Sequence, residues 1–286
     1  MRVAKIFRPS FIYNYLKLIR GINLFIVALT QYLTALFLLT DRGDWSEIFR
    51  DLNFFLMVSA TVMVTSAGYL INDYYDIKID FVNKPERVVV GKALRRRWVI
   101  FGHSALNITA IAIGFFISIQ IGIIMFGAAF MLWLYSNQLK RLPFIGNFVV
   151  AVLTGTTLIL VAEYFHQRAY IIACYAIFSA FITLIREIIK DTEDMKGDAR
   201  YGCKTIPIVL GVARTKQIIY AIMIAFEITV IWLLWDLSYI LPVILAITLL
   251  LLGLGVQRAD TIKDFHNLST YCKVIMLLGV LSMIWI

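Results

Sequence analysis

Apolar runs of about 20 residues without Asp, Glu, Lys or Arg recur along the chain, and this pattern predicts membrane-spanning helices. Residues 22–40 and 52–72 predict one crossing each. Residues 98–139 hold no charge over 42 positions, enough for a helical hairpin, with its turn expected near Gln120–Gly122. Residues 142–162, 169–185 and 237–257 predict one crossing apiece, and 217–235 another that carries Glu227. Only 13 residues follow Lys273, so a ninth crossing requires a helix that starts near Asn267 and a Lys273 side chain that reaches back to the interface. No A-x-A cleavage site follows the first apolar run, which therefore reads as a retained helix. The expected fold is all-α: a multi-pass membrane protein with about nine transmembrane helices, one transmembrane domain over residues 1–286.

The distribution of charge supports that count. With nine crossings, 24 of the 27 basic residues fall in the N-terminal segment and alternate loops, and only Arg42, Arg50 and Arg168 lie opposite. Basic residues collect on the cytoplasmic side, so the N-terminus is expected there, in the plasma membrane if the cell is prokaryotic. Residues 8–20, with Arg8, Lys17 and Arg20 among aromatic side chains, suit an amphipathic helix at the interface. Arg95, Arg96 and Arg97 read as an orientation signal in contact with lipid.

Composition agrees: 61% hydrophobic and 16% charged residues, with a mean hydropathy of +0.83, exclude a soluble domain and a disordered chain. The net charge of +9 reads as topology and attraction to anionic lipid, with no nucleic-acid partner implied. Cys174, Cys203 and Cys272 are dispersed and form neither a disulfide framework nor a zinc site.

Candidate chemistry lies in a repeat. The loop after the second helix is expected to open with Asn72, Asp73, Tyr74, Tyr75, Asp76 and to reach Asp80; the loop after the sixth contains Asp191, Asp194 and Asp198. Both read DxxDxxxD, and each Asp of the second cluster lies 118 residues after its counterpart, which defines two pseudo-repeated halves. In helical geometry this spacing puts three carboxylates on one face. Crowding them costs on the order of 1 to 4 kcal/mol per close pair, so a cation should compensate. Oxygen ligands without His or Cys favour a hard ion, and Mg²⁺ is commonly held by one or two carboxylates together with substrate phosphates. A diphosphate clamped through Mg²⁺ is the expected ligand, with Asp73, Asp76, Asp191 and Asp194 as metal ligands and Asp80 and Asp198 as further ligands or supports. Solvated helix ends paired to local Lys and Arg are the bland alternative. Lys84, Arg87, Lys140, Arg186, Lys190 and Lys204 are candidates to hold the phosphates and take up charge on a departing diphosphate.

At these residues the sequence resembles the UbiA superfamily of intramembrane prenyltransferases. Asn72-Asp73-x-x-Asp76-x-x-x-Asp80, followed by Asn83-Lys84-Pro85-Glu86-Arg87, looks like its first aspartate-rich motif, and Asp191-x-x-Asp194-x-x-x-Asp198 like its second. Tyr135-Ser136 with Leu139-Lys140-Arg141 is similar to the signature at the end of helix 4 in that family. The run from Arg186 through Lys190 and Gly197 to Lys204 and Pro207 looks most like the digeranylgeranylglyceryl phosphate synthase branch. The resemblance implies a UbiA-like helical bundle and Mg²⁺-dependent transfer of a prenyl group from an isoprenyl diphosphate donor to a lipophilic acceptor, the hydroxyl of geranylgeranylglyceryl phosphate. Membrane lipids surround it, and no obligate protein partner is implied. After Arg87 the family usually continues Pro-Ile-Pro-Ser-Gly; here Val88-Val89-Val90-Gly91 follows, which predicts a less stiff loop.

Other polar residues keep two readings each. Tyr74, Tyr75 and Tyr135 suit either cation–π stabilisation of an allylic cation or the interfacial aromatic belt. Arg20 and Asn23 are candidate acceptor contacts, while Asn23, Gln31 and Asn107 equally suit contacts between helices. Glu227 is either functional or hydrogen-bonded to a neighbouring helix, and His103, His166 and His266 read as structural or exposed. The rival functions are an aromatic-acid prenyltransferase of quinone biosynthesis and a secondary transporter. A transporter would place its ion sites near the bilayer midplane, whereas these acids fall at helix ends. The charge asymmetry makes a topological prediction: cysteines introduced near Gly91 and Arg200 should both react with an impermeant thiol reagent applied from the cytoplasmic side, and labelling from opposite sides would separate the two motifs.

Overall fold

A computed structural model describes residue 15 and residues 18–39, 45–86, 88–234 and 240–285. Apart from Tyr15 and residues 18–20, the interfacial helix expected over 8–20 lies outside them, as does Arg87. The described elements are α1 (Gly21–Thr34), continued by a wider π-helical turn (Ala35–Leu39), a short α2 (Trp45–Arg50), α3 (Leu52–Asn83), α4 (Arg96–Ile117), α5 (Ile119–Asn137), α6 (Ile145–Phe165), α7 (Ala169–Arg200), α8 (Ile206–Leu234), α9 (Ile240–Arg258) and α10 (Ile262–Ser282). Eight of these, α1 with its π-helical turn and α3 to α9, are long and apolar enough to cross a membrane. The protein is an integral membrane protein. Helix α10 is a 21-residue helix carrying Lys263, Asp264 and Lys273 and is not among the eight; it starts at Ile262 rather than near Asn267. Thr261 explains the earlier start, because its Oγ1 accepts from the Asp264 N–H while Asp264 accepts from the Thr261 N–H. The Thr261 N–H and hydroxyl and the Asp260 N–H all donate to Asp264 Oδ2 and hold its carboxyl below the ordinary range.

Two compact units divide the chain, one formed by residues 1–32 and 44–139, the other by 33–43 and 140–286. In the first, α3 packs against α4 and α5, and α4 against α5. The hairpin between α4 and α5 turns at Ser118, two residues before the expected break. Ser118 is extended, and its Oγ accepts from the Ile121 N–H, which caps α5 and leaves Gln120 and Gly122 inside the helix. Gly122 instead lets the two helices approach: a Cβ on Gly114 would lie 3.1 Å from its Cα.

In the second unit α7 is the central element and touches α6, α8 and α10, while α9 packs on α8 and α10. Its core includes Phe226, fully buried and stacked on Phe181 at 5.1 Å. Helix α8 begins eleven residues before the expected 217 and breaks its regular geometry at Gly211, whose φ of 81° is a conformation that glycine adopts without strain.

Helices α3 and α7 are both 32 residues long and run well past their apolar spans. Both aspartate motifs therefore lie within the last turns of these helices and not in the loops where hydropathy placed them. The charged residues continue the helix because each motif keeps a packed side inward: Ile77 and Ile79 are buried in α3, and Thr192, Glu193 and Gly197 follow the buried Ile188 and Ile189 in α7.

Close approach of α6 to α7 depends on Gly155, where a Cβ would meet the Ala176 carbonyl oxygen at 2.9 Å. Backbone cannot step aside as a side chain can, so Gly155→Val should destabilise the folded protein by about 1–3 kcal/mol, measured as a lower unfolding temperature in detergent than the wild type shows.

Candidate active site

Each motif presents its three carboxylates half-buried, while Lys78 and Lys196, themselves 118 residues apart, point to the exposed side of their helices. The 3.6-residue period separates them: positions i, i+3 and i+7 share a face, and i+5 leaves it.

In the first unit, Arg20 Nη2 donates to Asp73 Oδ1 at 3.0 Å, and Asn72 donates to the same carboxylate. Asp76 is near enough for its charge to act on Asp73. Arg20 also lies over the Tyr69 ring, 4.7 Å from the centroid, and Asn23 Nδ2 donates to the Tyr69 hydroxyl at 3.4 Å. Arg20 and Asn23, expected as acceptor contacts, thus sit at the first motif itself. Lys84 ends α3, its N–H bonded to the Asp80 carbonyl at 2.8 Å. Arg96, read from sequence as an orientation signal, places its guanidinium 5.6 Å from the Tyr74 ring centroid. Tyr74 meets Tyr75 edge-on at 5.4 Å, and Tyr135 lies in the last turn of α5.

Beyond Pro85 the loop after the first motif is fastened without further prolines. Val89, Val90 and Leu94 are buried with Leu18, Leu70, Ile77 and Val99. Gly91 turns the chain at φ 86°, its N–H bonded to the Leu94 carbonyl at 2.8 Å, and Lys92 Nζ donates to the Pro85 carbonyl at 2.9 Å. Burial of these valines holds the segment where the family usually carries prolines.

In the second unit, Asn147 Nδ2 on α6 donates to Asp191 Oδ2 at 2.8 Å. Glu187, Asp198 and Lys190 all act on Asp191 through their charges. Glu187 is 5% exposed and accepts from Arg186 Nη1 at 2.6 Å and Lys190 Nζ at 3.2 Å. The backbone N–H of Lys204 donates to the Arg141 carbonyl at 2.8 Å, which ties the turn after α7 to the short turn (Leu139–Arg141) that carries Lys140. Asn147 and Glu187 were missed from sequence. Glu187 lies one turn before Asp191 and extends the acidic stripe by i, i+4, a signal that was present; for Asn147, an isolated polar residue in an apolar run was the only hint. His266 is placed too: its Nδ1 meets Glu193 Oε1 at 3.1 Å. His103 Nδ1 lies 3.0 Å from the Ala67 carbonyl and so carries the proton in that bond. Glu227 Oε2 is buried in α8 with no hydrogen-bond partner among the described residues.

Among the described residues no three His, Cys, Asp or Glu side chains converge tightly enough to hold a metal by themselves. The donors at the motifs are nevertheless the right kind for Mg²⁺: carboxylate oxygens, half-buried, without thiol or imidazole inside either motif. That ion ordinarily shares its coordination with water and substrate phosphate.

Fold and site together define a polytopic helical membrane protein whose two halves each end a long helix in an acidic, cation-flanked motif. The UbiA prenyltransferase family model matches residues 13–278, and the chain belongs to that family: it is a membrane prenyltransferase. It is 32% identical over 251 residues to a digeranylgeranylglyceryl phosphate synthase of Methanobrevibacter smithii, covering 81% of this chain and 86% of that one. With the digeranylgeranylglyceryl phosphate synthase of Thermococcus sibiricus it shares 37% identity over 205 residues, 71% of each chain. Among solved structures it is similar to one described as digeranylgeranylglyceryl phosphate synthase in membranes, with a TM-score of 0.72, 25% identity and coverage of 96% and 97% of the two chains. A UbiA homologue from Archaeoglobus fulgidus bound to GPP and Mg²⁺ shares the fold with a TM-score of 0.69 at 15% identity, covering 96% of this chain and all of that one.

Because Asn147 holds one oxygen of Asp191 and leaves the other directed elsewhere, Asn147→Leu should free the carboxylate to turn. The expected outcome is an increase of about 10- to 100-fold in the Mg²⁺ concentration giving half-maximal prenyl transfer, read from a metal titration, with the unfolding temperature in detergent little changed.

Proposed function

We propose that the protein transfers the prenyl group of geranylgeranyl diphosphate to the free hydroxyl of geranylgeranylglyceryl phosphate, forming the second ether bond of an isoprenoid glycerol lipid. The observation that carries this reading is the pair of half-buried carboxylate faces flanked by cations, in a chain 32% and 37% identical to relatives named for that synthesis. In the reaction the allylic C–O bond breaks, diphosphate leaves with the electron pair, and the acceptor oxygen bonds to the prenyl carbon as its proton is lost.

Asp73, Asp76, Asp191 and Asp194 would hold Mg²⁺, with Asp80 and Asp198 beside them. The bound ion would neutralise the diphosphate and improve it as a leaving group. Lys84, Lys140, Arg186, Lys190 and Lys204 present positive charge where the leaving group develops negative charge. Arg20, Asn23 and Asn72 at the first motif are the proposed contacts that orient substrate, and Tyr135 at the end of α5 is a proposed substrate contact. Isoprenoid tails need an apolar environment, which accounts for an enzyme built within a membrane.

The test is a transfer assay on purified protein with geranylgeranyl diphosphate and either geranylgeranylglyceryl phosphate or 4-hydroxybenzoate, followed by mass spectrometry of the lipids. The ether product is expected, lost on chelation and restored by Mg²⁺. Prenylated benzoate alone would move the acceptor to aromatic acids, and turnover persisting after removal of bound ions would sink the metal assignment. Asp73→Asn and Asp191→Asn should each cost at least about 3 to 4 kcal/mol of transition-state stabilisation. The double variant should be hardly slower than either single one, because groups acting as a unit are not additive.

A further inference from the structure

The repeat continues one helical turn deeper than the aspartates. Four residues before Asp73 stands Tyr69, and four before Asp191 stands Glu187; the two positions are again 118 apart. A residue at i−4 lies on the same helical face as the first Asp of its motif. Each carries cations there by different chemistry. Tyr69 offers a ring face, over which Arg20 lies at 4.7 Å while bonding Asp73 at 3.0 Å. Glu187 offers a buried carboxylate whose two oxygens take Arg186 and Lys190 at 2.6 and 3.2 Å.

We propose that this position is a cation seat in both halves, and that Tyr69 and Glu187 are positioning residues which hold Arg20 and the Arg186/Lys190 pair ready for a substrate phosphate. The inference rests on the proposed function and adds to it the residues that fix the phosphate-binding cations. Two physical points carry it. Long Lys and Arg side chains lose substantial rotamer entropy on binding an anion, and a seat removes that loss beforehand. Glu187 binds two cations with one charge, so the trio of Glu187, Arg186 and Lys190 keeps one positive charge, one turn before the Asp191 carboxylate.

The phosphate chemistry is common to the diphosphate donor and the monoester acceptor, and steady-state kinetics with both varied tells them apart. Glu187→Gln should raise KM for one of the two by about tenfold or more, the loss expected for charge-assisted bonds; a rise confined to the donor assigns the seat to the diphosphate, and one confined to the acceptor to the monoester. Adding Glu187→Gln to an Arg186→Gln/Lys190→Gln variant should change nothing further, because Glu187 acts through those two cations; a residue with a merely structural role would add its own loss. In the first half, Tyr69→Leu should raise KM while Tyr69→Phe, which keeps the ring, should stay within about twofold of wild type. Unchanged or lower KM values in folded Glu187→Gln, or a further loss in the triple variant, would overturn the proposal. Should Glu187→Gln not fold in detergent, the Tyr69 pair decides, and equal behaviour of Leu and Phe overturns it. If the wild type transfers to no acceptor, the proposed function fails by itself; the seat is then read from calorimetric binding of geranylgeranyl diphosphate, which Glu187→Gln should weaken and which, unchanged, would refute it.

Discussion

Six carboxylates on two helix faces repel one another, and the surroundings of both motifs answer that repulsion. A close pair costs on the order of 1 to 4 kcal/mol at an interface, and neither helix could continue through its motif if that cost stood alone. Arg20 and Asn72 bond Asp73, Asn147 bonds Asp191, and Glu187 gathers Arg186 and Lys190 one turn below. These partners offset part of the charge while the remaining carboxylate oxygens stay half-buried at the helix ends. The partners thus hold the acids in place without neutralising all of them, which leaves the negative charge that the proposed Mg²⁺ site requires.

What allows those partners to arrive is close packing. Lipid is as apolar as a leucine side chain, so helices in a bilayer associate by contact and not by escape from water. Gly155 against Ala176 and Gly114 against Gly122 bring backbones together, and the first of these contacts lies on the interface between α6 and α7 that also sets Asn147 against Asp191. Large side chains such as Phe116 and Trp232, 75% and 77% exposed, face outward where lipid is their solvent. The loop after the first motif follows the same logic at smaller scale, with Val89, Val90 and Leu94 buried in place of a proline-stiffened turn.

Much of this was legible in the sequence because the bilayer imposes a length. An uncharged run of the right span must close its backbone hydrogen bonds internally and is therefore a helix, so α1 and α3 to α9 could be read one after another. The 118-residue repeat was legible for a similar reason: three carboxylates at helical spacing are improbable twice in equivalent places, and they mark a candidate site in each half. Boundaries were less legible. Hydropathy stops at the first charge, whereas α3 and α7 run on to Asn83 and Arg200 because their inner sides remain packed, by Ile77 and Ile79 in α3 and by Thr192, Glu193 and Gly197 in α7. Within the uncharged hairpin hydropathy does not separate Ser118 from Gln120; the N-cap preference of serine does, and the structure places the break there.

The amino-acid sequence by itself determined the order of the eight apolar helices and the acidic repeat with its oxygen donors, since each depends on composition and on spacing along one helix. Tertiary structure alone decided which neighbours those acids meet. Asn147 on α6 is 44 residues from Asp191, Arg20 is 53 from Asp73, and His266 on α10 is 73 from Glu193. No local rule joins residues so far apart in the chain; their meeting follows from how helices pack, and that is settled by where small residues let backbones come close.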